Sequence, residues 1–254
     1  MNKLIFNEKR YIEDVINNHK NADVQLFQLA QLIAIYHYQE GCTDKAVLAD
    51  IVNKELEGFN FADYYYERYY KIIGEIVNSV IKYDMTLKNV TEVPVYKTEY
   101  DIISNCGDIK HQKLLLALYV MARWSGDSGW TSSRCKIKYI KKSANLNCTN
   151  AELDSIFYDL INDGYIKKTR KVGKYCYQML NFNEDKNEDV AIVFDSFDDL
   201  GNKFIASKDT SRITCSVCGR LVKRTSPRMK YCKKCAEIKK RENNKKIQQR
   251  RRKS

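Results

Sequence analysis

Through residues 1–92, apolar side chains return with the period of a helix. EKRYIEDVINNH places Tyr11, Ile12, Val15 and Ile16 on one face, and the almost wholly apolar run from Val24 to Tyr38 ends at Gly41, a residue suited to a helix C-terminus. A third helix is predicted from Thr43–Asp44, as N-cap, through Val47, Leu48, Ile51 and Val52 to Gly58. The fourth, ADYYYERYYKIIGEIVNSVIKY, aligns Tyr65, Tyr69, Ile72, Ile73, Ile76, Val80 and Ile81 as one stripe. This region is therefore expected to form a helical bundle. Tyr64, Tyr65, Tyr66, Tyr69 and Tyr70 are read as filling the edge of its core in preference to stacking on bases.

Beyond an extended linker at 93–109, the pattern of residues 110–182 changes. HQKLLLALYVMARW reads as a buried helix, SGDSG as a turn, and RCKIKYIKKSAN as a second helix with Ile137, Ile140 and Ala144 inward. A third helix opens with Thr149 as N-cap and Glu152 at N3, the spacing of a capping box, and carries Leu153, Ile156, Phe157, Leu160 and Ile161 to a stop at Gly164. YIKKT, the turn RKVGK and KYCYQMLNF alternate with period two and predict a hairpin with Gly173 at its tip. Three helices followed by a two-stranded wing is the order of a winged-helix domain. Residues 183–211 read as an acidic linker in which Val190, Ile192 and Phe194 add one strand to the wing sheet. Shielding of the basic C-terminus by these acids is the alternative.

The net charge of +12 is unevenly placed. Residues 212 to 254 hold 17 Lys and Arg against Glu237 and Glu242, which leaves 27 bases and 30 acids in residues 1 to 211. All the excess positive charge thus sits at the C-terminus, the distribution expected of a nucleic-acid-binding tail. No apolar run is long enough for a membrane span, and acidic residues interrupt the N-terminus before any signal-like block, so a cytoplasmic location, nucleoid-associated or in a host cell, is expected. Nine cysteines is an odd number, and Cys42, Cys106, Cys135, Cys148 and Cys176 stand singly, as thiols do in a reducing compartment. His19, His37 and His111 share no motif and read as packing or surface residues.

The remaining cysteines form two Cys-x-x-Cys pairs, Cys215 with Cys218 and Cys232 with Cys235. An x-x spacing lets two thiolates of one turn reach the same ion, and four thiolates suit one tetrahedral, structural Zn²⁺. With no histidine or further polar ligand nearby, the site is expected to be closed and without catalysis. Gly219 permits the positive φ that aims backbone N–H groups at sulfur, and RLVKR and RMKYC are predicted to pair around TSP. Cys232 and Cys235 then fall on the first turn of a helix, which makes residues 212–236 a treble-clef-like zinc module. Metal binding of order 10 kcal/mol would decide whether so small a module folds. Residues 237–254 form either a projecting basic helix or a tail that orders on phosphate. The fold class is therefore mainly α: bundle, winged helix, zinc module and basic C-terminal helix.

The candidate phosphate contacts are Arg220, Lys223, Arg224, Arg228, Lys230, Lys233, Lys234, Lys239, Lys240, Arg241, Lys245, Lys246, Arg250, Arg251 and Arg252, with Lys167, Lys168, Arg170, Lys171 and Lys174 of the wing. The third helix of the winged domain, the usual groove-reading element, instead carries Glu152, Asp154, Asp159 and Asp163 on its outer positions. That argues for a wing-led contact, or for a protein partner on the acidic helix.

CSVCG followed by SPRMKYCKKCAEIKKRENNKK resembles the C-terminal zinc module of small proteins found in phages and mobile elements of low-GC Gram-positive bacteria, in which a Lys-Tyr-Cys-x-x-Cys knuckle runs into a basic helix. The likeness covers about residues 213 to 250. It implies a DNA-associated phage protein. LFQLAQLIAIYHYQEGCTDKAVLADIVNK is also similar to the helical domain accompanying some phage and plasmid primases, but no primase or helicase motif follows. With no P-loop, no Gly-rich dinucleotide turn and no histidine beside the cysteines, the expectation is a non-enzymatic DNA-binding protein in regulation or replication of a mobile element. The alternative is an interaction or inhibitor protein aimed at a host protein or ribonucleoprotein.

Overall fold

A computed structural model describes the chain except residues 1–3, 19–22, 60, 62–64, 127–128, 132–136, 170–175, 181–187, 210, 219 and 252–254. The chain is mainly helical and divides into two compact units, Met1–Thr91 and Glu92–Ser254.

The first unit packs α1 (Glu8–Asn18), α2 (Leu26–Gln39), α3 (Lys45–Glu57) and α4 (Tyr66–Lys82). Leu29, Ala30, Leu32, Ile33, Ala34 and Ile35 of α2 are all buried, which places this helix, apolar on nearly every side, at the centre of the bundle. Asp44 caps α3 by accepting from the Ala46 and Val47 N–H groups at 2.9 Å each, and Gly41 follows α2 at φ +100°. The open N–H groups of α1 are met from across the unit. The Lys88 carbonyl accepts from Glu8 and Lys9, while Glu8 Oε2 accepts from the Lys88 N–H. The predicted stripe of α4 is shifted: Ile73, Val77 and Val80 are buried, whereas Ile72 and Tyr65 face solvent. Of the tyrosine cluster only Tyr69 edges the core; Tyr65, Tyr66 and Tyr70 are exposed, and Tyr64 lies outside the described residues.

In the second unit the expected linker is structured. β1 (Val93–Tyr96) and α5 (Lys97–Asn105) pack against α6 (Ile109–Ser125), whose residues Leu114–Ala122 are buried without interruption. Glu99 is fully buried, pairs with Arg123 at 2.5 Å and accepts from the Tyr96 N–H, while the Arg123 guanidinium lies 4.5 Å from the centre of the Tyr96 ring. The partner of β1 is β5 (Val190–Phe194), in antiparallel register Val93 to Phe194 and Val95 to Ile192. The strand foreseen in residues 183–211 therefore joins β1 instead of the wing. Its pairing spans almost a hundred residues, and such a contact leaves no local periodicity. Pro94, which has no N–H, sits in a two-stranded sheet where both strands are edges.

Next in the chain come β2 (Gly129–Thr131), α7 (Ile137–Ser143), α8 (Asn150–Asn162), β3 (Ile166–Lys168) and β4 (Cys176–Met179). The hairpin gains a third strand, because β2 pairs with β4 to give the order β2-β4-β3. The capping box of α8 forms as its spacing predicts. Glu152 N–H donates to Thr149 Oγ1, Thr149 N–H donates to Glu152 Oε2, and Leu153, Ile156, Phe157 and Leu160 turn inward. Gly173 lies outside the described residues.

Residues 200–208 form a helix not foreseen, α9 (Leu200–Lys208), packed on α6. Its first turn fits against the end of α7 so closely that a Cβ on Gly201 would collide with the Ala144 carbonyl oxygen. Asn145, at φ +52°, donates to Asp199 Oδ1 and accepts from the Asn202 N–H, so a side chain from outside the helix caps α9. At its other end Lys208 binds the Ser104 carbonyl and Gln112 Oε1. From α9 the chain passes to β6 (Arg212–Thr214), β7 (Leu221–Lys223) and α10 (Lys233–Arg251).

Candidate metal centre

β6 and β7 pair antiparallel, Arg212 to Lys223 and Thr214 to Leu221, so the first Cys-x-x-Cys is the turn of this hairpin. RLVKR thus pairs with the residues before Cys215 and not with RMKYC. RMKYC remains irregular, and the Lys230 carbonyl accepts from Ser216 N–H and Oγ, which holds it against the knuckle. The physical reason is length. Two strands on either side of the six-residue connection 215–220 are already in register, whereas TSP must turn within residues 224–228. There Arg224 Nη2 donates to the Pro227 carbonyl at 2.6 Å.

The second pair comes from the entry to α10, with Cys232 just before its first residue and Cys235 in its first turn. The sulfur atoms of Cys215, Cys218, Cys232 and Cys235 all lie within 4.8 Å of one another, and Cys218 Sγ is 3.7 Å from Cys232 Sγ. Three of these cysteines are buried and Cys218 is exposed. Four such sulfurs could hold a metal ion.

The electrostatics of the cluster favour thiolate at one end and crowd it at the other. Burial opposes ionisation of Cys215, yet backbone N–H groups of Cys232, Val217 and Cys218 aimed at its sulfur outweigh it and bring the thiol down to about 6. The Arg220 N–H lowers Cys218 in the same way. Cys235, beside the sulfurs of Cys218 and Cys232, is pushed up to about 12. A divalent cation among the four would relieve this crowding. The Cys218 sulfur raises the pKa of the Arg220 guanidinium, which is itself exposed.

The predicted cationic residues divide by what they already do. Lys223, Arg228 and Lys230 are exposed on the module, whereas Arg224 is engaged in its own turn. On α10, Lys233, Lys234, Lys239, Lys240, Arg241 and Lys245 are all exposed, with Lys239 3.5 Å from Glu242. Lys246, Arg250 and Arg251 continue the helix, and Arg252 lies outside the described residues. Lys167 and Lys168 are exposed on β3; Arg170, Lys171 and Lys174 lie outside the described residues. Two further lysines, Lys142 and Lys203, line a cleft of about 670 Å³ beside Ser216 and Cys218, together with Asp198 and Asp199. They arrive from α7 and α9, so sequence proximity to the cysteines offers no signal for them.

The acids of α8 are less available than their outer positions suggest. Glu152 pairs with Lys110 at 3.2 Å, and Asp159 pairs with His111 at 3.1 Å, both from the start of α6. His111 also meets Asp108 at 2.8 Å. Burial works against its charged form, but the hydrogen bonds to Asp108 and Asp159 prevail and raise its pKa.

Among the described residues no helix is long and apolar enough to cross a membrane. In comparisons with known proteins, no family model, no curated protein and no solved structure matches the chain.

Proposed function

We propose that the chain is a non-enzymatic nucleic-acid-binding protein of a phage or mobile element, acting on DNA through a zinc-anchored basic C-terminal helix and a winged-helix domain. The observation that carries this reading is the exposure of every side chain from Ala236 to Lys245 on α10. A helix that packs nothing and carries Lys239, Lys240, Arg241 and Lys245 has been kept for a partner, and phosphate is the partner its charge fits. Zinc is the metal the cluster suits. A Zn–S bond of about 2.3 Å places tetrahedral sulfurs roughly 3.8 Å apart, and Cys218 and Cys232 are 3.7 Å apart before any adjustment. The ion would fix the hairpin against the first turn of α10 and so set the direction in which the helix leaves.

The order α6, β2, α7, α8, β3, β4, with sheet order β2-β4-β3, supports the winged-helix reading. In that domain Lys167 and Lys168 offer a wing contact. On α8, Glu152 and Asp159 are half-exposed and pair with Lys110 and His111, and a protein partner on this face is the alternative reading.

Titration of the full chain against duplex DNA at several salt concentrations tests the proposal. Each phosphate neutralised contributes about −0.9 to the slope of log affinity against log salt. A steep slope that collapses when the chain is ended at Ala236 is the expected result; equal binding by the shortened chain would sink it.

A further inference from the structure

The arrangement of side chains around α10 is more specific than a general attraction to phosphate requires. At 3.6 residues per turn, Lys234, Arg241 and Lys245 fall within about 40° of one another, and Lys239 lies roughly 140° from Lys234. A cationic row therefore runs along one face of α10, and Lys239 stands across from it. The sector between them holds Ile238, 44% exposed, and Glu242, one turn further on. Lys233, Lys240 and Glu237 occupy the far side.

A carboxylate directed at phosphate would be repelled. Glu242 lies between that row and Lys239, with which it pairs at 3.5 Å. Ile238 is an exposed aliphatic group in a helix that packs against nothing along Ala236–Lys245. Both belong to the side-chain types that contact base edges, a carboxylate accepting from cytosine N4 and an apolar group meeting the thymine methyl.

We propose that α10 lies in the major groove of B-form DNA, with Lys234, Arg241 and Lys245 on one phosphate backbone, Lys239 on the other, and Ile238 and Glu242 on the base edges, so that this helix reads sequence. The inference rests on the nucleic-acid-binding reading above and narrows it. Shape supports B-DNA over RNA. A helix with its side chains is about 10–12 Å across and the major groove about 12 Å wide, whereas the A-form major groove is too deep and narrow to be read. The 19 residues of α10 extend about 28 Å at 1.5 Å per residue, close to one turn of duplex. The cysteine cluster at one end supplies the fixed mount that a reading helix needs.

The test is site selection by the metal-loaded full chain from a random duplex library, with affinity and salt slope then measured on the selected and on scrambled DNA. Two variants separate the Lys234, Arg241 and Lys245 row from the sector beside it. All five substituted side chains are exposed, and one metal ion per chain in each variant verifies that the module is intact. The wild-type chain should select a motif. Ile238→Ala/Glu242→Gln should keep its affinity for scrambled DNA and its salt slope, yet lose about tenfold or more of its preference for the motif. Lys234→Ala/Arg241→Ala/Lys245→Ala should weaken binding to every duplex and flatten the slope by about two to three. Selection of no motif, the same motif from the Ile238/Glu242 variant, or tighter binding to single-stranded DNA or to RNA would each overturn the inference while leaving nucleic-acid binding intact. Failure of the wild-type chain to bind any nucleic acid would overturn both.

Discussion

In the N-terminal bundle, Leu29, Ile33, Leu48, Val52, Ile73 and Val77 are fully buried around a helix that touches its neighbours on every side. In residues 212–251 the buried side chains, among those described, are Cys215, Cys232 and Cys235, with Val222 and Tyr231 only partly covered. One region removes enough apolar surface from water to offset the entropy of ordering its chain. The other buries few side chains, and under the zinc reading proposed above its order depends on the ion that joins its sulfurs. The bundle is therefore expected to tolerate any change of metal or redox state and to fail when its core is cut. The module should behave in the opposite way.

The largest expected effect comes from removing the metal. Chelation, or Cys232→Ser together with Cys235→Ser, withdraws an apparent stabilisation of order 10 kcal/mol and should expose the amides of Arg212–Cys235 to rapid hydrogen exchange while those of α2 and α3 stay protected. Loss of protection in both regions would erase the distinction. Second in size, Ile33→Ala empties a fully buried position and should destabilise the bundle by about 2–5 kcal/mol in denaturant unfolding, with metal content unchanged. Gly201→Ala tests the packing that leads into the module. Its Cβ meets the Ala144 carbonyl, and a loss of about 1–3 kcal/mol in the second unit is expected from overpacking, with the bundle transition unmoved.

The smallest effect is a pH dependence confined to the second unit. His111 has a folded pKa above its unfolded value of 6.5, since hydrogen bonds to Asp108 and Asp159 overcome the opposing effect of burial. Its contribution is fully present below about pH 6.5 and is lost as pH rises through the raised folded value. Stability of the second unit should therefore decline across that interval. His111→Gln should flatten the decline, and an unchanged slope in that variant would show that the imidazole carries none of it.

Much of the architecture was legible where one element carried its own signal. The capping box of Thr149 and Glu152, the apolar completeness of α2 and α6, Gly41 after α2, and the pairing of two Cys-x-x-Cys turns into one cluster are short-range patterns, and each appears as its spacing implies. Residues 93–109 and 183–211 looked like linkers because the partners of their strands are distant in the chain. Val93 and Val95 become core only when Phe194 and Ile192 arrive beside them. The hairpin was assigned to the wrong partner for a related reason. Strand propensity in RMKYC says nothing about whether β7 meets residues before or after the cysteines.

Sequence alone determined the charge asymmetry, the set of four cysteines that could hold a metal ion and the helical periodicities, because these depend on residue type and on separations of a few positions. Tertiary structure decided which charges remain available. It tied Arg224 to its own turn and Glu152 and Asp159 to α6. It also left residues 236–245 of α10 in solvent on every side. A charge is free or spent according to what lies within a few ångströms of it, and that neighbour is set by the packing of elements distant in the chain.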